Sequence, residues 1–241
     1  MKQRLDKELL RRGLVVSRSQ AEDIIRRGYV TVNNEPVTKA GFLIDESTPV
    51  HVKSRISFVS RAGEKLYSVL KPLSLDFKDK TILDVGSSTG GFTDVALRQG
   101  AVKVIAVDVG TEQMHPLLRE DPRIELHEKT DIRAFSTDQK IDMVVIDVSF
   151  ISLREILPAL AKLVQPGTEI VAMVKPQFEA TASGMKHKGV VKNDRMRRDI
   201  LKDFEIWSQN VFKIIGKADS QVHGSKGNIE RFYKLHKLPK N

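Results

Sequence analysis

Leu83-Asp84-Val85-Gly86-Ser87-Ser88-Thr89-Gly90-Gly91-Phe92 decides how the rest of the chain is read. An apolar run ending at Val85 breaks into a glycine turn, and a helical pattern starts near Gly91. Strand, tight loop and helix start, in that order, form the usual seat of a nucleotide-like cofactor, because the helix start presents free N–H groups. The spacing is Gly-x-x-x-Gly-Gly and not the Gly-x-Gly-x-x-Gly of dinucleotide sites. Asp84, inside the strand end, would repel a phosphate and attract an amino group. A cofactor with a nucleoside at one end and an amino acid at the other fits best, and S-adenosylmethionine is that molecule. Gly86, Ser87, Gly90 and Gly91 are expected to let the backbone approach its methionine part. Ser88 and Phe92 complete that expected lining with Asp84.

Outward from this stretch, strand and helix patterns alternate. Strands are expected at 81–86, 102–107, 124–127, 143–147 and 169–174, with helices near 60–70, 91–98, 112–119 and 153–163. A long helix over 194–209 and late strands at 211–215 and 229–236 follow. Such alternation predicts an α/β fold: a mostly parallel, seven-stranded Rossmann-like sheet with helices on both faces and a closing hairpin. Ligands of open parallel sheets bind beyond the strands' carboxyl ends. Asp108, 22 positions after Gly86, suits a ribose diol; Asp131 suits an adenine amino group; Asp147 falls beside the expected sulfonium methyl. Any one of them is equally explained as a turn former or helix cap. Together, at successive strand ends, they are more specific.

Lys175 follows the wholly apolar Ile170-Val171-Ala172-Met173-Val174. A lysine at the mouth of a buried strand is costly unless used, although a snorkelling side chain is the plain alternative. Desolvation and a second cation lower a lysine pKa, which would let Lys175 accept a proton. Lys65 is a candidate second cation, and Asp147 and Glu230 are candidates to hold the pair.

The charge pattern adds a partner. The 241 residues carry a net charge of +9, arranged unevenly. Residues 1–55 hold 11 Lys/Arg against 7 Asp/Glu, residues 81–180 hold 10 against 15, and residues 181–241 hold 14 against 6. Basic flanks around an acidic middle suit a bound polyanion, or else a generic solubilising surface. There is no cysteine, which removes disulfides, thiolate metal sites and cysteine nucleophiles, and fits a cytoplasmic protein. The first residues have no apolar signal core, and no apolar run approaches the ~18 residues that span a bilayer. No metal-ligand spacing appears, so no metal is expected.

Residues 1–55 read as a separate α+β unit. Leu5, Leu9, Leu10 and Leu14 recur at helical spacing before Gly13 and beyond it; Ser17-Arg18-Ser19-Gln20 has capping-box spacing for a second helix that stops at Gly28. Residues 30–37 alternate around Asn33-Asn34 as a hairpin, and 49–52 form a last strand. Residues 53–57 read as a linker. Through Arg4-Leu5-Asp6, Ser17-Arg18-Ser19-Gln20-Ala21, Ile25, Gly28, Val30 and Val32-Asn33 this unit resembles the S4-type RNA-binding domain. Arg4, Arg11, Arg12, Arg18, Arg26 and Arg27 are then the expected phosphate contacts.

The second part, from 59 to 241, carries longer motifs. Val59-Ser60-Arg61-Ala62-Gly63-Glu64-Lys65-Leu66, residues 83–94, Ala106-Val107-Asp108-Val109-Gly110, Asp147-Val148-Ser149-Phe150-Ile151-Ser152-Leu153, residues 174–180 and Gly227-Asn228-Ile229-Glu230 resemble the TlyA/hemolysin-A family. The resemblance implies an S4-like front domain and an FtsJ-like methyltransferase domain that 2′-O-methylates ribose in ribosomal RNA, with cytidine as acceptor. It also implies a catalytic tetrad on Lys65, Asp147, Lys175 and Glu230. Relatives usually have Asn where Asp131 stands. Three rivals remain. An amino-methyltransferase would need prolines that Asp147-Val148-Ser149-Phe150 lacks. A membrane-lytic protein would need an amphipathic or barrel-forming surface, and none is visible. An RNA-binding protein without catalysis would not need the intact tetrad.

Overall fold

The computed structural model describes residues 2–15, 18–52, 58–185, 189–191, 193–224 and 227–238. The chain divides into two units, Met1–Ser57 and Phe58–Asn241. The expected linker at 53–57 and the Ser17 of the capping box lie outside the described residues.

In the first unit, β1 (Gln3–Arg4) leads into α1 (Leu5–Arg11) and α2 (Arg18–Arg26), followed by β2 (Val30–Val32), β3 (Glu35–Pro36), β4 (Leu43–Ile44) and β5 (Val50–Val52). Leu5, Leu9, Ala21, Ile25, Val30 and Ile44 form one small core. Leu10 and Leu14, grouped with Leu5 and Leu9 by spacing, are instead exposed, because α1 ends at Arg11 and turns only one narrow face inward. Asn33 and Asn34 have φ of 51° and 67°. That left-handed pair is what a two-residue hairpin turn requires, and it joins β2 to β3. β1 and β4 pair with each other over two residues each, too short for an alternation signal.

The second unit is one seven-stranded sheet ordered β11-β12-β10-β9-β6-β7-β8. Here β6 is Thr81–Val85, β7 Lys103–Val107, β8 Ile124–His127, β9 Met143–Ile146, β10 Glu169–Val174, β11 Phe212–Asp219 and β12 Arg231–Lys237. β6 to β10 run parallel, and β12 lies antiparallel between β10 and β11. Alternate strand residues serve opposite faces. Leu83, Ile105, Val144 and Ala172 pack with α6 (Leu153–Leu163) and α8 (Asp194–Ser208). Ile82, Val104, Val145 and Val171 pack with α3 (Arg61–Val69) and α4 (Gly91–Arg98).

Two expectations are corrected. The helix expected over 112–119 shrinks to α5 (Pro116–Arg119). Glu112 is left-handed at φ 54°, and Pro116 disfavours helix in the residue before it. After Lys175, where no helix was expected, the chain enters α7 (Pro176–Ala182), with Pro176 at its first position, where a missing N–H costs nothing. β11 also continues past Ile215, through an irregularity between Ile214 and Gly216.

Candidate active site

The register of the sheet gathers the site. Val174 pairs with Arg231 across β10 and β12, so Lys175 and Glu230 leave the same end of adjacent strands. Ala172 pairs with Ile146, which sets Asp147 at that end as well. Lys65 arrives from α3, which is docked on α4 by glycine: a Cβ on Gly63 would lie 2.9 Å from the Gly91 carbonyl oxygen. The outcome is two ion pairs. Lys65 Nζ lies 2.8 Å from Glu230 Oε1, and Lys175 Nζ lies 2.6 Å from Asp147 Oδ1. Lys175 also donates to Ser149 Oγ at 2.7 Å. All four tetrad positions therefore meet at one edge, although Lys65 and Glu230 are 165 positions apart.

Two larger cavities adjoin this edge. One, of about 470 Å³, is bounded by Gly86, Asp108, Asp131 and Asp147 with the apolar Val109 and Ile132. The other, of about 350 Å³, is bounded by Lys65, Lys175, Glu230, Gln177, Phe178 and Asn228. Ser149 and Phe150 border both. Phe150 is 92% exposed, and its ring centroid is 5.3 Å from that of Phe178. A third, narrow cavity of about 70 Å³ touches Asp84, Ser87, Ser88, Phe92 and Asp147.

The Asp84 carboxyl is 1% exposed. Its Oδ2 accepts a hydrogen bond from Thr93 Oγ1 at 2.6 Å, while Oδ1 has no partner, nor has Ser87 Oγ. Burial pushes the Asp84 pKa up to about 7, helped by the charges of Asp147 and Asp108 and opposed by the Thr93 bond. Asp108 is held by two backbone N–H donors, Ser88 at 2.8 Å and Gly110 at 2.6 Å. Asp131 borders the larger cavity, but its two oxygens already accept from Arg133. The guanidinium keeps that carboxyl below its ordinary range.

The members of the glycine stretch also have packing roles beside the cavities. A Cβ on Gly90 would strike Leu118 and Met114, and one on Gly91 would strike Ser60 and Gly63. Their smallness serves packing against neighbouring elements; Gly86, whose Cβ would lie 2.7 Å from the Asp147 carbonyl oxygen, serves the close approach of two strand ends. The ring of Phe92 belongs to the core, 6.0 Å from that of Phe232. Sequence reasoning missed Val109, Ile132, Ser149 and Gln177. Of these, Val109, Ser149 and Gln177 had a signal, lying within two positions of Asp108, Asp147 and Lys175 in the motifs above, and Ile132 had none.

In the first unit, arginines are largely spoken for. Arg4 and Arg18 both bond to the buried Asp6, and Arg11 to Glu8. Arg27 faces Asp23 and Tyr29, and Arg26 is exposed. Arg12 is turned inward on Glu8 and the carbonyls of Asp45, Glu46 and Thr48, so it braces the unit.

The FtsJ-like methyltransferase family matches residues 58–237, and the S4 domain matches residues 3–50. The 16S/23S rRNA (cytidine-2′-O)-methyltransferase TlyA of Mycobacterium tuberculosis is 37% identical, over 95% of this chain and 88% of that protein. A solved structure from Streptococcus thermophilus, named as a candidate hemolysin, is 38% identical with a TM-score of 0.77, over 99% of this chain and 90% of that one. An S-adenosylmethionine-dependent methyltransferase structure from Listeria monocytogenes shares the fold alone, at 16% identity and a TM-score of 0.53 over 75% of this chain and all of that one. Strand order, paired lysines and these matches agree: the chain belongs to the FtsJ-like methyltransferases of the TlyA and hemolysin-A type, with an S4 domain ahead of the catalytic sheet.

Proposed function

We propose that this methyltransferase uses S-adenosylmethionine to methylate a ribose 2′-hydroxyl of ribosomal RNA, with cytidine as the acceptor nucleoside. The observation that carries the reading is the pairing of Lys175 with Asp147 where the two larger cavities meet, with the Lys65–Glu230 pair lining the second of them. The chemistry of the lining fits the donor. Asp84 Oδ1 and Ser87 Oγ are buried polar atoms without partners, suited to an amino-acid end. Asp108 suits a ribose diol, and Val109 and Ile132 offer apolar walls to a base. Asp131, already engaged by Arg133, is the weakest of the proposed contacts. Bound there, the sulfonium supplies an activated methyl group.

The protein's own task is then alignment and proton removal. A ribose hydroxyl is a poor nucleophile until a base begins to take its proton. Lys175 is the proposed acceptor of that proton. Asp147 and Ser149 hold its amine in place, and the Lys65–Glu230 pair sets a second cation beside it. Fixing oxygen, methyl and sulfur in line supplies much of the remaining acceleration. Arg4, Arg11, Arg18, Arg26 and Arg27 are the proposed phosphate contacts of the S4 unit, a cytoplasmic RNA clamp in this reading. Names of relatives support the substrate: the Mycobacterium tuberculosis protein is named for cytidine 2′-O-methylation of 16S and 23S rRNA.

The test is direct. Purified protein, labelled S-adenosylmethionine and ribosomes lacking the mark are combined, and RNA is digested to nucleosides. Label in 2′-O-methylcytidine is the expected result. Label on a base or on protein, or none at all, overturns the proposal. Among the described residues no helix is long and apolar enough to cross a membrane, and nothing in the site favours a second reading.

A further inference from the structure

Under the methyl-transfer reading, Lys175 and Asp147 must keep a fixed separation, yet they stand on different segments. Asp147 opens the stretch before α6, and Lys175 caps α7. One side chain that the mechanism does not use ties these segments together. Glu179 lies one turn into α7 and is 1% exposed. Its backbone N–H reaches the Lys175 carbonyl oxygen at 3.3 Å. Its Oε2 accepts the Ser152 hydroxyl at 2.6 Å, and its Oε1 accepts the Leu153 N–H at 2.7 Å.

Ser152 and Leu153 are the cap and the first residue of α6. The carboxylate thus bridges the starts of two helices, where an orphan N–H and the helix dipole both favour an anion. The Lys175–Ser149 hydrogen bond of 2.7 Å lies on the same two segments. Lys175, Glu179, Ser152 and Ser149 therefore close a ring: two bonded crossings between the segments, one at the reacting amine and one at Glu179. Arg154 Nε stands 3.6 Å from the Glu179 carboxylate, and the Arg154 guanidinium reaches on to Asp203 of α8, which also accepts from Ser183 at 2.6 Å. Burial raises the Glu179 pKa. For packing alone, an apolar side chain of similar volume would avoid that cost.

We infer that Glu179 is a positioning residue for methyl transfer. It clamps residues 147–152 against α7 so that Asp147 and Ser149 meet the Lys175 amine, and it touches neither donor nor RNA. A displacement of the amine by about 1 Å costs on the order of 100-fold in rate.

The experiment compares wild type, Glu179→Gln and Glu179→Ala in single-turnover and steady-state methylation of ribosomal RNA. Alongside, donor affinity is read by calorimetry and folding by thermal melts. Glu179→Ala is expected to lose about 100-fold in kcat. Glu179→Gln, which keeps the shape and one acceptor, recovers part of that loss. KM for RNA and donor affinity stay near wild type, so the loss falls on kcat alone. A purely structural role would lower melting temperature, donor affinity and kcat together. That pattern, or an undiminished kcat in Glu179→Ala, overturns the inference alone. If Glu179→Ala does not fold, Glu179→Gln decides on the same readouts. Absence of transfer by wild type overturns the methyl-transfer reading, and the inference with it.

Discussion

The two larger cavities share Ser149 and Phe150 but differ in charge. The 470 Å³ cavity is bordered by three carboxylates, Asp108, Asp131 and Asp147, with one cation, Arg133. The 350 Å³ cavity is bordered by Lys65 and Lys175 with one carboxylate, Glu230. An acidic chamber suits a cationic donor, and a lysine-bearing chamber suits a phosphate-rich acceptor. Where they meet, Asp147 belongs to the first and its ion-pair partner Lys175 to the second. Under the proposed function the boundary between donor and acceptor is itself a salt bridge, and two ligands would be separated by sign of charge and not by a wall.

The strongest way to break that contrast is Lys175→Met. Removing the proposed proton acceptor should lower kcat by about 1,000-fold, within the range for a general base, while donor affinity stays near normal by calorimetry. Loss of both together would mean that Lys175 only holds the strand end.

Asp84→Asn tests the narrow cavity that adjoins the acidic chamber at Asp147 and has a smaller effect. Donor affinity should fall by about tenfold or more, the usual worth of a hydrogen bond to a charged group. The same variant has a pH signature without donor. The folded protein keeps the Asp84 proton up to about pH 7, whereas the unfolded chain releases it near 3.8. Between those values the unfolded state binds fewer protons, so wild-type stability falls as pH rises. The asparagine variant should therefore melt above wild type at pH 8, with the gain gone by about pH 4. An equal offset at both pH values would show that Asp84 carries no such proton.

The smallest effect sharpens the basic side and lies in the other unit. Arg26 is exposed, whereas Arg12 is bound to Glu8 and three carbonyls. Arg26→Ala should weaken RNA binding severalfold and reduce the salt slope by about 0.7–0.9, the share of one phosphate contact. An unchanged slope would remove Arg26 from the RNA surface.

Legibility in the sequence followed length and repetition. β8, β10, α4 and α6 begin and end where the pattern says: α6 is buried on one regular face and β10 and α4 nearly throughout, while β8, the partly buried edge strand, is bounded by charged and polar residues. α7 was hidden because Pro176 reads equally as a turn or as a first helical residue. β1 and β4 are too short to alternate. At the site, Asp84, Asp108 and Asp147 were visible as carboxylates at strand ends. Val109 and Ile132 were not, since an apolar residue beside a strand looks the same whether it faces core or ligand. The inward turn of Arg12 was invisible too: its partners are backbone carbonyls more than thirty positions away.

β12 lies between β10 and β11, and Glu230 stands at its entrance. During synthesis the other three tetrad residues emerge first, and none of them is complete as a set until this strand slides into its slot. A nascent or clipped polypeptide lacking that insertion would be inert toward RNA. Under the proposed function, activity then reports on the finished sheet.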